Sequence, residues 1–413
     1  MKERALKVSN FLIYWSIVIM PFTVAISPAI ANTFIGFMTF FYLLKKFLNL
    51  PQRGLFKTPL DTPFLLIIIF SGLSFINSVD LSDSIHGMMK WVKYAFIFLV
   101  CAEEIRDIRQ VKRIIYSCLF GVTLIALDGI FQLKFGFDFI RGNGLQSSII
   151  DLTRPTASFP NPNIMGIYLS ALSPLVIGAA LFLKTNKKEK LFFVFGALLG
   201  SLGVYITFSR GSGLGLFFAV LFLGIFRKNK FIIVCLLVLL LLFPFFMPKK
   251  IKDWTTDIRY NPLVFLFNQD RLSYFRNAMN MIRHHPFVGV GLNTFSKNYG
   301  KYKLKAAEEY CPTPDTIYAH NMYLQMGGEI GLPGLLAFLW LLFRFFKDNR
   351  STQRKLKDPF LQVTCMSLFA CVLAFLVNGM TETSLYYSRI SMIFWYLIGC
   401  SLAMRHFVKA DGS

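Results

Sequence analysis

Apolar runs of about 17–22 residues recur along nearly the whole chain, and each is long enough to cross a hydrocarbon core of about 30 Å. They fall at roughly 11–30, 32–48, 61–77, 88–103, 113–133, 163–183, 191–208, 211–226, 231–247, 322–346, 360–379 and 387–405. The expected fold is an all-α polytopic membrane protein with about 12 transmembrane helices. Composition agrees: of the 413 residues, 55% are hydrophobic and 16% charged, where a soluble domain carries about 25% charge.

A net charge of +22 would point a soluble protein towards nucleic acid. Here the positive residues gather in alternate connections, which excludes nucleic acid as the simplest partner. Lys2, Arg4 and Lys7, then Lys45, Lys46, Arg53 and Lys57, then Arg106, Arg109, Lys112 and Arg113 mark one side of the membrane. Lys184 to Lys190, Arg227 to Lys230 and "RFFKDNRSTQRKLKD" continue the series, whereas "NSVDLSDSIHG", "SRG" and "NGMTETSLYYS" hold almost no lysine. Positive loops stay in the cytoplasm, so both termini are expected there. The first run, with its basic start and Ala29 to Ala31 cleavage-like triplet, resembles a signal peptide, but its length and Pro21 favour a retained helix.

Two outward connections are long. One is "KFGFDFIRGNGLQSSIIDLTRPTASFPNPN"; the other runs from Pro248 to Ala319, far beyond the usual 2–8 residues between helices. The second includes "DRLSYFRNAMNMIRHHP", where Leu272, Phe275, Ala278, Met279 and Ile282 recur at helical spacing. The chain thus divides into nine helices over 1–247, an outward loop domain over 248–320, and three helices with a tail over 321–413. The outward face is expected to be the working face. Of the cysteines, only Cys311 lies in an outward loop, so no disulfide framework is available. Neither C-x-x-C nor H-E-x-x-H occurs, and no metal or cofactor is expected.

Several outward polar residues stand out. Arg210, in "TFSRGSG", sits between two apolar runs with almost no loop, where an unpaired charge is costly. Gly211, Gly213 and Gly215 admit a close neighbour, and Ser212 is expected to open a helix whose amides favour an anion. Arg154 precedes the turn "NPN"; Arg271 and Arg276 lie in the loop helix, where one of the two is expected to be a solvated surface charge. Arg154, Arg210 and Arg271 together present guanidinium forks on one side, a geometry that suits a diphosphate-bearing lipid. His320 and Asn321 stand just before an apolar helix. An imidazole titrates near neutrality and suits proton abstraction, while the amide of Asn321 could fix a tautomer or a substrate. His284 and His285 are expected to be solvated, and His86 and His406 interfacial. Asp128 is the one acid well inside a run, with structural and functional readings both open. Gly196, Gly200 and Gly203 read as helix packing.

His320-Asn321, nine residues, then Gly331-x-x-Gly334 resembles the H-[NSQ]-x9-G-x-x-G signature of the bacterial O-antigen ligases. "TRPTASFPNPNIMGIYL", "TFSRGSG" and "DRLSYFRNAMNMIRHHPFVGVGLNTF" are similar to that superfamily's other blocks, in the same order over about residues 150–400. The resemblance implies a GT-C-like, metal-independent, inverting membrane glycosyltransferase. It would move a glycan from undecaprenyl diphosphate to a lipid A–core sugar in lipopolysaccharide biosynthesis. Its setting would be the inner membrane of a bacterium, with the active site facing the periplasm. By position His320 resembles the general base, Arg210 and Arg271 the diphosphate ligands, and Arg154 a further one. Glu382 resembles an acidic position near the last helix, and Asn321 and Arg276 are secondary candidates.

O-antigen polymerases and protein O-oligosaccharyltransferases share the same blocks; the complete His-Asn signature favours the ligase. A polyprenyl-lipid transporter is the competing class. It would place its polar groups along a path at the bilayer midplane, often in repeated halves, whereas here the informative charges gather at one face.

Overall fold

The structure, a computed structural model, describes residues 2–48, 57–147, 153–246, 269–304 and 317–410. It is all-helical apart from one two-residue strand pair. A helix stands at every place where an apolar run was read. In chain order these are α1 (Lys2–Ile26), α2 (Pro28–Leu48), α3 (Asp61–Leu73), α4 (Leu81–Glu104) and α5 (Ile108–Phe135). After strands β1 (Gln146–Ser147) and β2 (Thr153–Arg154) come α6 (Pro162–Phe182), α7 (Lys187–Ile206), α8 (Arg210–Phe226) and α9 (Lys230–Phe246). The loop region contributes α10 (Gln269–His284) and α11 (Phe295–Tyr302). The chain then closes with α12 (Met322–Lys355), α13 (Pro359–Asn378), α14 (Ser388–Ala403) and α15 (Arg405–Ala410).

Among the described residues, 8 helices are long and apolar enough to cross a membrane, fewer than the twelve crossings expected. The difference lies partly in three shorter apolar helices, Asp61–Asn77, Arg210–Phe226 and Lys230–Leu242. The first of these ends in a tight 3-10 turn over Ser74–Asn77, and the second begins abruptly at the Arg210 turn. The chain is a multi-pass membrane protein. Cys311 lies outside the described residues, as do parts of the long loop.

The first helix is built into the bundle. Ile17, Val24 and Ala25 are fully buried, and α1 packs on α2 and α5. Pro21 has no N–H, which deprives the Ile17 carbonyl of its helical donor. Tyr396 of α14 supplies one instead, at 3.0 Å, and Tyr168 of α6 donates to the Pro21 carbonyl at 2.8 Å. At the C-terminal end of α1, Arg389 donates to the carbonyls of Val24 and Ala25 and to Ser158, over the face of Phe159. That buried arginine closes a helix end whose carbonyls would otherwise lack partners.

The loop region is fastened to α12 through its kink. Gly331 has φ +75° and ψ 171°, a conformation essentially reserved for glycine. Pro333 cannot donate to Glu329, so the Glu329 carbonyl accepts from Gly291 at 3.1 Å. The neighbouring Gly328 carbonyl accepts from Val290 at 2.9 Å, and the Leu332 N–H donates to Pro286 at 2.7 Å. A Cβ on Gly331 would lie 2.3 Å from the Phe287 carbonyl oxygen. The G-x-x-G half of the signature therefore forms a socket for the loop segment 286–291. The Glu329 side chain adds a second fastening: its carboxylate accepts from the backbone N–H of Asn293 at 2.7 Å and of Phe295 at 3.3 Å, at the start of α11.

Two expectations for α10 change. Met279 is 40% exposed while Met281 is fully buried, so the buried face runs through Asn277, Ala278, Met281 and Ile282. His285 is not simply solvated; it bonds Tyr302 at 2.6 Å and Asn77 at 3.2 Å, pinning the end of α10 to α11 and to the turn after α3.

Candidate active site

Arg271, His320 and Asn321 meet at the turn between α13 and α14, and Arg154 joins them through Asn163. Asn378, at the end of α13, accepts from Glu382 N–H at 3.1 Å, and its side chain donates to Ser212 of α8 at 2.9 Å. The Met322 N–H reaches the Gly379 carbonyl at 2.9 Å, and the Asn321 side chain donates to Met380 at 3.0 Å. These links draw the starts of α8 and α12 onto one short turn, with Glu382 at its centre.

Glu382 is 1% exposed and fully engaged. One carboxylate oxygen accepts from Arg271 at 2.5 Å and from Asn163 at 2.7 Å. The other faces Nδ1 of His320 at 3.2 Å. Burial alone would raise this carboxyl; the Arg271 guanidinium and the bond and charge of His320 outweigh it and hold it down at about 2. Glu382 is therefore a carboxylate at any working pH and can only accept. It follows that Nδ1 of His320 carries the proton, and in the neutral ring Nε2 is left with its lone pair. The ring of Tyr274 lies 5.4 Å from that of His320 and tilts 34° to it.

The arginines differ in setting. Arg271 also donates to the Thr381 carbonyl at 2.7 Å. Arg154, on β2, donates to Asn163 at 2.7 Å and to the Thr207 carbonyl at 2.7 Å, so it joins Glu382 through the Asn163 amide. Burial lowers Arg154 to about 10, with Glu382 opposing that shift, so it remains charged near neutrality. Arg210 is half-buried at the first position of α8, within the field of Arg271, Arg154 and Glu382. Arg271 thus touches the carboxylate, Arg154 reaches it through Asn163 and the charge of Arg210 acts in the same field, so two positive charges stay in excess. Arg276 is exposed. Five residues along an α-helix turn it by about 140° from Arg271, so the two cannot face one site.

Other local expectations resolve differently. The helix at "SRGSG" opens at Arg210, not at Ser212, whose hydroxyl instead bonds Ser209 at 3.0 Å. Gly211 and Gly215 admit protein: a Cβ would meet the Thr381 hydroxyl at 2.0 Å and the Ala374 carbonyl at 2.6 Å, while Gly213 faces open space. Asn321 caps α12 by accepting from Tyr323 and Leu324, so Glu382, and not this amide, orients the imidazole. Asp128 accepts from Phe139 at 2.8 Å and so ties its own helix to the connection that follows it.

Sequence reasoning missed Asn163 and Tyr274. Asn163 was visible only as part of a turn, "NPN", whose first residue, Asn161, caps α6. One further feature marks the site. His320, Phe208 and Ala157 hold positive φ, at 47°, 48° and 48°, each beside or within a block that supplies a charged residue, while Lys228 and Asn293, at 53° and 61°, hold it outside the Glu382 cluster. Such strained backbone gathers where surrounding contacts fix a functional geometry. No residue-type pattern announces it.

Residues 195–339 match the family model described as O-antigen ligase. The matched stretch holds Arg210, Arg271, His320, Gly331 and Gly334, and leaves Arg154 and Glu382 outside it. No curated protein matches the chain.

Proposed function

We propose that this chain, a member of the O-antigen ligase family through residues 195–339, transfers a glycan from undecaprenyl diphosphate to a sugar hydroxyl of lipid A–core. The reaction takes place at the periplasmic face of a bacterial inner membrane, with both termini in the cytoplasm. One observation carries the reading: a single buried carboxylate, Glu382, touches both the imidazole of His320 and the guanidinium of Arg271. A base and an anion clamp are thereby held on one rigid turn.

The chemistry follows from that arrangement. Nε2 of His320 removes the proton of the acceptor hydroxyl. The oxygen attacks the anomeric carbon of the donor, and the bond from that carbon to the diphosphate oxygen breaks with inversion. The leaving diphosphate takes the electron pair. Arg210, Arg271 and Arg154 lie where that charge develops and neutralise it, a contribution that a preorganised dry site makes large. The N–H groups of Arg154 and Arg271 beyond those bonded to Thr207, Asn163, Thr381 and Glu382 remain for the phosphate oxygens. The two-charge excess of the site matches the two acidic phosphates of a diphosphate diester. No step requires a metal ion.

The test is reconstitution of the purified protein with lipid-linked donor and lipid A–core acceptor, with analysis of the product. A new glycosidic bond to the acceptor, formed in the presence of EDTA, is the expected result. A strict requirement for a divalent ion would refute the metal-free chemistry. Relocation of lipid without a new bond would mean a transporter, and elongation of the glycan on its carrier would mean a polymerase. In a deletion strain, intact long chains should accumulate on the lipid carrier.

A further inference from the structure

Two lysines on α4 lie apart from the arginine site and, unlike Lys45, Lys46 and Lys297, pair with no carboxylate among the described residues. Lys45 bonds Glu104 at 2.6 Å, Lys46 bonds Glu103 at 2.7 Å, and Lys297 is paired with Asp80 and Asp83 at 2.6 and 2.8 Å. Lys90 and Lys93 are half-buried as well, yet no carboxylate among the described residues pairs with either. Lys90 donates to the Asn293 side chain at 3.2 Å. Lys93 donates to Ser388 at 3.1 Å and to Asn32 at 3.3 Å. Those partners are neutral. They position the ammonium groups without offsetting their charge, and three residues of helical spacing keep the two cations close enough to repel. The charge of Lys90 does act on Lys93.

Their height in the bundle is informative. Ser388 is the first residue of α14, and Asn32 lies in the opening turns of α2. Lys93 therefore sits level with the ends of two neighbouring helices, on the side that carries the loop region. α4 continues past it for twelve residues, about 18 Å, to reach that region. A lysine at a helix-end boundary extends its ammonium to the level of lipid headgroups.

Their place relative to the reaction site is also fixed. Ser388 follows Tyr387, whose ring lies 6.0 Å from that of Tyr318, two residues before His320. The charges of Glu382 and Arg271 act on Tyr387 in turn. Lys93 thus bonds the residue next to Tyr387, the tyrosine on which the Glu382 cluster also acts.

We propose that Lys90 and Lys93 form a second anion site, at the bilayer surface, that takes a phosphate of the amphiphilic acceptor. This rests on the transfer reading given above and adds the acceptor's side of it. The arginines hold the diphosphate of the donor. The lysines hold a phosphate on the acceptor's membrane-embedded sugars, and the acceptor glycan extends past Tyr387 and Tyr318 to bring a hydroxyl to His320. Lysine suits this task, because a mobile point charge tolerates a headgroup whose orientation varies, whereas the planar fork serves a fixed geometry.

A phosphate at this height could also belong to an ordinary anionic phospholipid, so the test has three ligands. The full-length protein is placed in phosphatidylcholine nanodiscs and titrated with phosphorylated lipid A–core, with the same glycolipid after phosphatase treatment, and with phosphatidylglycerol. Wild type is compared with Lys90→Gln/Lys93→Gln and with Lys90→Arg/Lys93→Arg. The Gln variant should bind the phosphorylated glycolipid about tenfold more weakly. It should bind the dephosphorylated form and the donor as wild type does, and the Arg variant should retain most of the affinity. Equal affinity of wild type and the Gln variant for the phosphorylated glycolipid overturns the proposal. An equal loss for phosphatidylglycerol, bound as tightly as the glycolipid, assigns the site to bulk lipid and also overturns it. Because binding is read without turnover, a wild-type protein that makes no bond to this acceptor would refute the transfer reading while the lysine contrast still stood or fell by itself.

Discussion

Replacing Glu382 by glutamine removes one charge and changes little in shape, yet it should disable the histidine. The wild-type carboxylate accepts on both oxygens, from Arg271 and Asn163 on one side and from Nδ1 of His320 on the other. Glutamine has one accepting oxygen and one amide nitrogen that donates. If its oxygen faces Arg271 and Asn163, its amide donates to Nδ1, and the imidazole must carry its proton on Nε2. A ring in that tautomer cannot take a proton from the acceptor. The opposite orientation preserves the tautomer but sets the amide against two donors. Each buried unsatisfied donor costs about 1–3 kcal/mol. Two of them, even at the lower figure, disfavour that orientation by a factor of about 30. General-base assistance is worth about 10²–10⁴-fold. Glu382→Gln should therefore lower the rate of transfer by about 30-fold at least and by up to the full value of the base.

The decisive assay is single-turnover transfer in nanodiscs, with donor binding measured separately and folding checked by gel filtration and thermal melting. Donor affinity should hold or rise, since the positive excess of the site increases. A transfer rate within fivefold of wild type, in a variant that folds and binds donor, would refute the tautomer argument. The pH profile gives an independent check. Glu382 is depressed, so its stabilising contribution is present above the usual carboxyl range and fades only as pH falls towards about 2. It does not titrate at working pH. Glu382 should therefore add no limb to the transfer rate at working pH, and a carboxyl limb there that disappears in Glu382→Gln would contradict the assignment.

Further expectations concern the clamp, the base, the socket and the orientation. Arg210→Lys keeps the charge but loses the fork and should weaken transfer and donor affinity markedly, as should Arg271→Ala, whereas exposed Arg276→Ala should be mild; wild-type kinetics for both of the first two would end the clamp assignment. His320→Gln retains a hydrogen-bonding side chain without a base, so transfer should fall about 10²–10⁴-fold while donor binding is kept; near-normal transfer would make the histidine merely positional. Gly331→Ala places a methyl 2.3 Å from the Phe287 carbonyl in a conformation costing about 1–3 kcal/mol, and should loosen segment 286–291, read as faster amide exchange at Val290 and Gly291. In a cysteine-free background, Lys297→Cys should label with an impermeant thiol reagent in intact spheroplasts and Lys187→Cys should not; the reverse pattern would invert the membrane orientation.

How much of this was legible in the sequence depends on the range of the interaction. Hydropathy placed a helix at every apolar run, because burial in lipid acts on each run by itself. The "NPN" cap of α6 and the amphipathic character of α10 were equally local. What periodicity could not resolve was which of Met279 and Met281 faces inward, since that depends on a neighbouring element, α11, more than on spacing. The site shows the same limit more sharply. Arg154, Arg210, Arg271 and His320 could each be named as outward polar groups at unusual places, but nothing in a one-dimensional string says that they share a carboxylate. Glu382 stands 62 residues from His320, 111 from Arg271 and 219 from Asn163. Contacts over such separations come from how the helices pack, and the turn after α13 is where that packing brings four chain segments together. The signature divides along the same line. Its His-Asn half supplies the proposed base, through the imidazole, and the start of α12, through the amide cap. Its G-x-x-G half makes the kink that holds the loop region against the bundle, and with it α10, from which Arg271 reaches Glu382. Spacing joins the two halves because Asn321 caps the helix that carries the socket, with nine residues between that cap and Gly331.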